Sequence, residues 1–163
     1  MALRIGHGYD IHKFGGEQAL CLGGTTIENA PGLEGHSDAD VLLHAILDAF
    51  LGAIALGDIG QWFPDTDPQL KDISSVTLAS HILDAPETAN WRIVNLDTTI
   101  IAQRPRLTPH VYSIRQATAT TMRTPEETVS VKATTNEGMD ATGRGEAIAT
   151  YCVILLESQE IDD

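Results

Sequence analysis

The pattern of apolar positions predicts a buried helix in the first third of the chain. The run VLLHAILDAFLGAIAL (41–56) has few polar breaks, which favours a largely buried helix from about Asp38 to Ala55. Ser37 and Asp40 form a weak capping pair at its start. Gly57 is expected to end it, because glycine tolerates the backbone conformation that terminates helices.

Two more helices are predicted further along the chain. One covers SSVTLASHILDA (74–85), and the other begins at Thr108 with Pro109 at its first helical position and continues through HVYSIRQATATTM (110–122). Between the first two helices, DIGQWFPDTDP (58–68) is turn-rich but full of specific polar residues. This composition indicates a functional loop rather than a passive linker.

Strand-like segments alternate with these helices. The candidates are LRIGHGYDI (3–11), ALCLGG (19–24), IVNLDTTIIAQ (93–103), TVSVKATT (128–135) and EAIATYCVILLE (146–157). Interleaved helices and strands predict an α+β fold, in which helices cover one face of a mixed β-sheet. The pattern leaves the order of the strands open.

Composition narrows the class of protein. The chain has 163 residues, of which 42% are hydrophobic, and this length and apolar content predict one domain over residues 1–163. The formal net charge of −13 argues against nucleic acid or an acidic membrane as partner. No stretch reaches the about eighteen apolar residues of a membrane span, and no targeting segment is evident, so a cytoplasmic protein is expected. Cys21 and Cys152 lack metal or redox spacing and are interpreted as reduced core residues.

A possible metal site begins in GHGYDIHKF (6–14). In an extended strand Asp10 and His12 share a face and can chelate one ion, whereas His7 faces the other way and is interpreted as structural. His44 lies in an apolar run, where a lone polar side chain needs a partner. Two imidazoles and a carboxylate with an open position are typical of a catalytic zinc site. A surface strand and a buried structural histidine remain the alternatives.

The spacing around His44 predicts how its ring is held. Asp40, His44 and Asp48 recur every four residues, so they share a helix face. One of the two carboxylates is therefore expected to accept a hydrogen bond from the ring nitrogen that does not bind metal.

Two other segments suggest phosphate chemistry. His36 and Ser37 precede the first helix, where free N–H groups favour an anion, although capping alone would explain the serine. KATTNEGMDATGRGE (132–146) combines hydroxyls with Glu137 and Arg144, and suits phosphate with magnesium. AQRPRLTP (102–109) places two arginines at a strand end and suits a diphosphate. A turn before a strand and a solvated loop are the corresponding structural alternatives.

These segments together carry a resemblance that spans nearly the whole chain. RIGHGYDIHKF, GHSDADVLLHAILDAFLGAIALGDIGQWFPDTDP, NLDTTIIAQRPRLTPH and VSVKATTNEGMDATGRGEAIA stand in order and at the spacing of one family. The sequence resembles the 2-C-methyl-D-erythritol 2,4-cyclodiphosphate synthases. The resemblance implies a phosphorus–oxygen lyase of the non-mevalonate isoprenoid pathway, which cyclises 4-diphosphocytidyl-2-C-methyl-D-erythritol 2-phosphate and releases CMP. It also implies a homotrimer with active sites between subunits and a central cavity.

The resemblance assigns roles to matching positions. It implies that Zn²⁺ or another divalent transition metal binds Asp10, His12 and His44, and that Glu137 is linked to Mg²⁺ or Mn²⁺ on the substrate diphosphate. His36 and Thr135 would stabilise the transition state. Ser37 would contact phosphate, Asp58 and Gly60 would hold hydroxyls of the substrate, and the loop of Phe63, Pro64, Asp65, Thr66 and Asp67 would surround its erythritol part. The residues implied to cradle the cytidine diphosphate are Ala102, Gln103, Arg104, Pro105, Arg106, Leu107, Thr108, Thr134 and Thr135. Further implied contacts are Ile59, Ala133, Ala141 and Arg144.

Two positions depart from the family pattern. Ala141 stands where relatives often carry an aromatic residue, and Arg106 stands where a lysine is familiar, although either cation serves a phosphate. Two rival functions stay open. A zinc phosphohydrolase would use the same ligands to activate water, and a nucleotide-binding regulatory module would keep the fold without catalysis.

Overall fold

A computed structural model describes residues 1–70 and 72–159. The strands are β1 (Leu3–Gly16), β2 (Cys21–Leu22), β3 (Thr25–Thr26), β4 (Gly32–Leu33), β5 (Trp91–Ile101), β6 (Val129–Thr134) and β7 (Ala147–Ser158). The α-helices are α1 (Val41–Ala53), α2 (Ile59–Trp62), α3 (Ser75–Leu83), α4 (Val111–Thr121) and α5 (Asp140–Gly143). Short 3₁₀ turns cover Pro68–Leu70, Thr108–His110 and Glu126–Thr128.

Five strands form one mixed sheet in the order β4-β1-β7-β5-β6. The pair β5 and β6 is parallel, whereas β1 pairs with β4 and β7, and β5 with β7, in antiparallel register. Apolar side chains on the inner face, such as Leu96, Ile100 and Ile154, are completely buried. The outer face leaves large apolar side chains such as Ile5 and Tyr151 exposed. The predicted mixed sheet with helices on one face is therefore confirmed.

Helix α1 lies directly on the backbone of β1. Gly6 and Gly8 occupy the inner face of the strand, and a Cβ atom at either position would stand 1.9 Å from the carbonyl oxygen of Ala49 or Ala45, respectively. A side chain there is sterically excluded, so the two glycines allow a close approach of helix and strand. The helix is buried along its length, with Phe50 and Ile46 at most 1% exposed.

The first helix is shorter than its apolar pattern predicted. It begins at Val41, not near Asp38, because Asp40 is the N-cap and its carboxylate accepts from the Leu43 N–H at 3.0 Å. It ends at Ala53, before Gly57, because Ala55 adopts a left-handed conformation with φ of 59°. The expectation that Ser37 takes part in the cap was therefore wrong.

Other elements differ in detail from the prediction. Strand β1 continues to Gly16, where β4 pairs with it. The segment 19–24 forms half of a two-strand hairpin, β2–β3, because Gly23 and Gly24 both turn the chain with positive φ. The loop 58–68 contains the short helix α2. The sequence pattern missed β4 and α5, which have two and four residues.

Both cysteines are free, as predicted, but only one is a core residue. Cys152 is fully buried, and burial raises the pKa of its thiol to about 12. Cys21 is partly exposed, with its Sγ 3.4 Å from Asp40 Oδ2, and burial together with that carboxylate raises the pKa of its thiol. Among the described residues, no helix combines the length and apolar character needed to cross a membrane.

Replacing Gly8 with alanine tests the close packing of α1 on β1. Because the new methyl group would overlap the Ala45 carbonyl, we expect Gly8→Ala to lower the free energy of unfolding by about 1–3 kcal/mol or more. Urea denaturation measures this change. The matched control is Gly52→Ala in α1. Apart from its chain neighbours and the backbone of its own helix, no described atom lies within 4 Å of the new Cβ there. The free energy of unfolding of that variant should rise by about 0.5–1 kcal/mol. Equal losses of stability in both variants would contradict the packing argument.

Candidate active site

Three possible metal ligands converge between β1 and α1. Asp10 Oδ2 lies 2.9 Å from His12 Nε2 and 3.1 Å from His44 Nδ1, and the two ring nitrogens are 3.3 Å apart. The strand supplies the first two residues from one face, and the helix supplies the third. In a search of the described residues, Asp10, His12 and His44 form a group whose possible ligand atoms all lie within 4.8 Å of one another.

The geometry of this triad suits a tetrahedral metal ion. For ligand bonds of about 2.0–2.2 Å, two ligand atoms on a tetrahedral ion lie roughly 3.3–3.6 Å apart, slightly more than the separations here. His12 Nδ1 is 2.6 Å from the Glu34 carbonyl oxygen. A carbonyl only accepts, so Nδ1 carries a proton and donates it, and this backbone contact orients the ring with Nε2 toward the triad. The triad therefore has the ligand types and the ligand spacing that suit a divalent transition metal ion.

The ionisable groups of the triad shift each other's pKa values. Burial alone would raise the pKa of Asp10, but hydrogen bonds from His12 and His44 outweigh it and hold that pKa well below its usual range. Burial would lower the pKa of His12, yet the Asp10 carboxylate and the Glu34 carbonyl reverse the effect and raise it. Without a metal ion, the Asp10 carboxylate and the His12 imidazole thus stabilise each other's charged forms.

The predicted carboxylate support for His44 was wrong. Asp40 is completely buried and accepts instead from the backbone N–H groups of Gly23, Gly24 and Leu43 at 2.7–3.0 Å. These bonds tie the hairpin β2–β3 to the start of α1. Burial raises the pKa of Asp40, although the N–H donors oppose this effect.

The other carboxylate on that helix face is occupied as well. Asp48 accepts from the Ile59 N–H at 2.8 Å and so fixes the start of α2. His44 Nε2 instead lies 3.1 Å from Ser37 Oγ and 3.0 Å from Ser75 Oγ. Sequence analysis missed Ser75, because 31 residues separate it from His44 and no local spacing relates them.

His12 and His44 of the triad line a cavity of about 420 Å³. His36 and Ser37 line it as well, together with Ile59, Gly60 and residues 63–68. His36 is largely exposed, and its Nε2 stands 4.0 Å from Asp65 Oδ2 across the opening. The structure thus gathers the predicted metal ligands, His36, Ser37 and most of the predicted erythritol contacts around one cavity.

Asp58 has a structural partner close to that cavity. Its carboxylate accepts from the backbone N–H and the side-chain amide of Gln61, each at 2.9 Å, and caps α2. These hydrogen bonds lower the pKa of the exposed Asp58. Asp58 is not among the residues that line the 420 Å³ cavity, and its predicted contact with substrate stays a prediction.

The predicted nucleotide residues form a second cavity, of about 280 Å³. It lies where β5 and β6 end and is lined by Ala102, Gln103, Pro105, Arg106, Leu107, Thr108, Ala133, Thr134 and Thr135. Arg104 is missing from this lining. Its guanidinium donates to the Gly145 carbonyl at 3.1 Å and stacks over Phe14 at 5.6 Å, and so links the loop to β1.

The two cavities share no lining residue within one chain. Asp10 pairs with Thr150 across β1 and β7, Thr150 with Ile100, and Ile100 with Ala133 on β6. The triad and the second cavity are therefore separated by three strand spacings of about 4.8 Å, roughly 14 Å. The triad is thus near one edge of the sheet, on β1, and the second cavity is at the other edge, where β6 lies.

The remaining predicted site residues lie away from the triad. Glu137 does not join the metal cluster; its backbone N–H donates to Thr135 Oγ1 at 3.3 Å, beside the second cavity. Arg144 forms an ion pair with Glu146 at 2.8 Å. Ala141 lines a separate cavity of about 180 Å³ with residues of the outer sheet face. His7 lies on that face too, outside the triad, with its ring 6.1 Å from that of Tyr151.

Comparisons with known proteins point to one family. The YgbB family matches residues 3–157. A relative from Syntrophomonas wolfei, named 2-C-methyl-D-erythritol 2,4-cyclodiphosphate synthase, is 51% identical over 155 residues, which are 95% of this chain and 99% of that protein. A relative from Nostoc with the same name is 48% identical over 160 residues, or 98% of this chain and 97% of that protein.

Solved structures agree with these relatives. IspF from Plasmodium falciparum, in complex with CDP, matches with a TM-score of 0.82 and 34% identity over 97% of both chains. The bifunctional IspDF from Campylobacter jejuni matches with a TM-score of 0.90 and 36% identity, and the match covers 98% of this chain and 43% of that longer one.

The raised pKa of His12 predicts opposite pH effects on the metal-free and zinc-bound protein. His12 stabilises the fold while protonated, so this contribution is complete below the ordinary histidine pKa near 6.5 and is lost as pH rises through the higher folded value. Zinc needs the unprotonated ring, so zinc affinity should rise over the same window. Urea unfolding with a chelator and zinc titrations, both between about pH 6 and 8.5, measure the two trends.

The His12→Gln variant is the control for this pH dependence. The variant removes the His12 imidazole and leaves every other histidine of the chain in place. The difference between wild type and variant therefore isolates His12. Identical pH slopes in the two metal-free proteins would show that His12 does not titrate as described.

Proposed function

The chain belongs to the YgbB family, and from this premise we propose that it acts as a 2-C-methyl-D-erythritol 2,4-cyclodiphosphate synthase in isoprenoid biosynthesis. The observation that carries this proposal is the convergence of Asp10, His12 and His44 within 2.9–3.3 Å at a cavity that also holds His36 and Ser37. Two relatives of that name are about half identical to this chain over nearly their full lengths. We take residues 1–163 as one domain of this kind.

The proposed reaction is an intramolecular phosphoryl transfer on 4-diphosphocytidyl-2-C-methyl-D-erythritol 2-phosphate. An oxygen of the 2-phosphate forms a bond to the β-phosphorus, while the bond from that phosphorus to the CMP oxygen breaks and CMP leaves. The products are CMP and the cyclic diphosphate, as for a phosphorus–oxygen lyase. Because the substrate carries its own nucleophile, the protein needs to bend it and to neutralise charge.

The residues of the first cavity suit these tasks. Asp10, His12 and His44 would hold Zn²⁺ or another divalent transition metal, which when bound neutralises phosphate charge and orients the phosphate. His36 and Ser37 present an imidazole and a hydroxyl on the same side of the cavity, where they can donate hydrogen bonds to phosphate oxygens. The facing loop, residues 63–68, would enclose the erythritol part.

The second cavity would receive the cytidine diphosphate. Residues 102, 103 and 105–108 line it together with Thr134 and Thr135, and Arg106 supplies positive charge in an acidic chain. Glu137 next to it would take part in holding Mg²⁺ or Mn²⁺ on the diphosphate. The CDP complex of the Plasmodium falciparum relative supports a cytidine nucleotide as ligand.

We further propose a homotrimer in which each active site combines the first cavity of one subunit with the second cavity of its neighbour. The separation of the two cavities within one chain supports this arrangement, because a single substrate must contact both. The outer sheet face exposes a group of large apolar side chains that are 41–72% exposed, and assembly would bury them. They are Ile5, Tyr9, Ile11, Tyr151 and Val153.

Product analysis separates this function from its rivals. We expect the zinc- and magnesium-loaded protein to convert the diphosphocytidyl substrate into CMP and the cyclic diphosphate in equal amounts, measured by ³¹P NMR. The His44→Ala variant should bind no zinc at the triad and lose activity while its circular dichroism spectrum stays that of the wild type. Linear phosphates as products would indicate the phosphohydrolase, and CDP binding without turnover would indicate the regulatory module.

Mixing two inactive variants tests the shared active site. His44→Ala damages the first cavity and Thr135→Val the second, so each homotrimer should be inactive. After the variants are unfolded and refolded together in equal amounts, about a quarter of the interfaces combine two intact halves, and about a quarter of wild-type activity should return. The control mixture, His44→Ala with His12→Ala, damages the same half twice. Activity in the control mixture equal to that in the test mixture would exclude sites built from two subunits.

A further inference from the structure

Beyond the metal ligands themselves, we propose that Asp38 and Ser75 form a hydrogen-bond relay that favours the tautomer of His44 in which Nδ1 is free to bind the metal. Both are positioning residues, because they act through His44 and not on the substrate. This inference rests on the proposed function, in which His44 binds the metal.

The relay starts at the Asp38 carboxylate. Ser75 Oγ lies 2.5 Å from Asp38 Oδ1, and the Ser75 N–H donates to Asp38 Oδ2 at 3.0 Å. A carboxylate accepts hydrogen bonds and a serine hydroxyl has one hydrogen to donate. The short contact with Asp38 therefore uses the hydroxyl hydrogen of Ser75. Ser75 is fully buried, so water does not compete for its hydroxyl.

The direction of this bond favours one position for the proton on His44. Ser75 Oγ, with its hydrogen given to Asp38, can only accept from His44 Nε2 at 3.0 Å. This contact therefore favours the tautomer with the proton on Nε2 and an unprotonated Nδ1. Nδ1 faces Asp10 Oδ2 and His12 Nε2, and without a metal ion the Asp10 carboxylate, which also only accepts, favours the opposite tautomer. A metal ion held by Asp10 would remove this competition, so the relay favours the tautomer that the metal needs.

The second hydroxyl near His44 is compatible with this assignment but does not impose it. Ser37 Oγ lies 3.1 Å from His44 Nε2 and accepts from the Ala39 N–H at 3.1 Å. No carboxylate of the described residues accepts the Ser37 hydrogen, so Ser37 can donate or accept. Of the two hydroxyls, Ser75 is therefore the one that favours a particular tautomer, and Ser37 can adjust to it.

The position of Ser75 in α3 does not require a hydroxyl for helix capping. Ser74 is the N-cap, and its Oγ accepts from the Val76 N–H at 3.2 Å. Two adjacent serines thus have separate partners: Ser74 caps its own helix, and Ser75 links Asp38 to His44. This makes Ser74 a matched control for any test of Ser75.

The tautomer can be compared directly in the metal-free wild type and in the Asp38→Asn variant. In Asp38→Asn the side-chain amide can donate to Ser75 Oγ, which frees the serine hydrogen for His44 Nε2. We therefore expect two-bond ¹H–¹⁵N spectra of neutral His44 to show the tautomer with protonated Nε2 more populated in the wild type than in Asp38→Asn. Equal tautomer populations in the two proteins would overturn the relay.

Zinc affinity gives the second readout, by competition with a chelator. Loss of a hydrogen-bond partner behind a ligating histidine weakens metal binding about 10- to 100-fold, and we expect this range for Ser75→Ala. Ser75→Thr keeps the hydroxyl and should restore affinity, whereas Ser74→Ala should bind zinc like the wild type. Equal affinities for Ser75→Ala and Ser74→Ala would overturn the proposal.

These outcomes are distinguishable from failure of the proposed metal site. If the wild type binds no zinc at the triad, the metal role in the proposed function fails, while the tautomer spectrum still tests the relay. If the wild type binds zinc and Ser75→Ala binds it equally well, the relay alone fails. Should Ser75→Ala not fold, as judged by circular dichroism, the His44 tautomer in the wild type and in Asp38→Asn still tests the relay.

Discussion

The contact between the backbones of β1 and α1 is the constraint on which the rest of the site depends. Gly6 and Gly8 present no side chain to the helix, so the carbonyl groups of Ala45 and Ala49 rest on the strand. His44 precedes the first of these alanines, and Asp10 follows Gly8 on the same strand face. The contact that packs the core therefore also sets the distance between the metal ligands contributed by strand and helix.

The polar residues before α1 divide between structural and chemical tasks. In the stretch HSDAD (36–40), Asp40 points inward and ties the β2–β3 hairpin to the helix start. Asp38 holds the start of α3 through Ser75. His36 and Ser37 are left to face the cavity. Two carboxylates thus anchor the β2–β3 hairpin, the start of α1 and the start of α3, and His36 and Ser37 remain to serve the ligand.

Sequence reasoning succeeded where local periodicity carries the information. The two-residue period of β1 placed Asp10 and His12 on one face, and the polar interruption of an apolar helix marked His44. The same reasoning failed for the carboxylate behind His44, because four-residue spacing on α1 does not reveal that Asp40 is needed by the β2–β3 hairpin. Sequence periodicity could not predict Ser75, since its contact with His44 depends on how α3 packs against α1. The near-continuous apolar run of β7 predicted a strand, but whether its outer face meets solvent or another subunit is not encoded in the period.

The triad also has a consequence for the chain before it folds. His12 and His44 are 32 residues apart, and Asp10 and His44 are 34 apart, so an ion held by all three closes a loop of that length. In the unfolded chain this closure reduces conformational entropy by an amount that grows only slowly with loop length, and the ligands are not prearranged there. An ion at this position would therefore bind the folded chain in preference to the unfolded one, and it would act as a removable cross-link between the first strand and the first helix that needs no oxidising compartment.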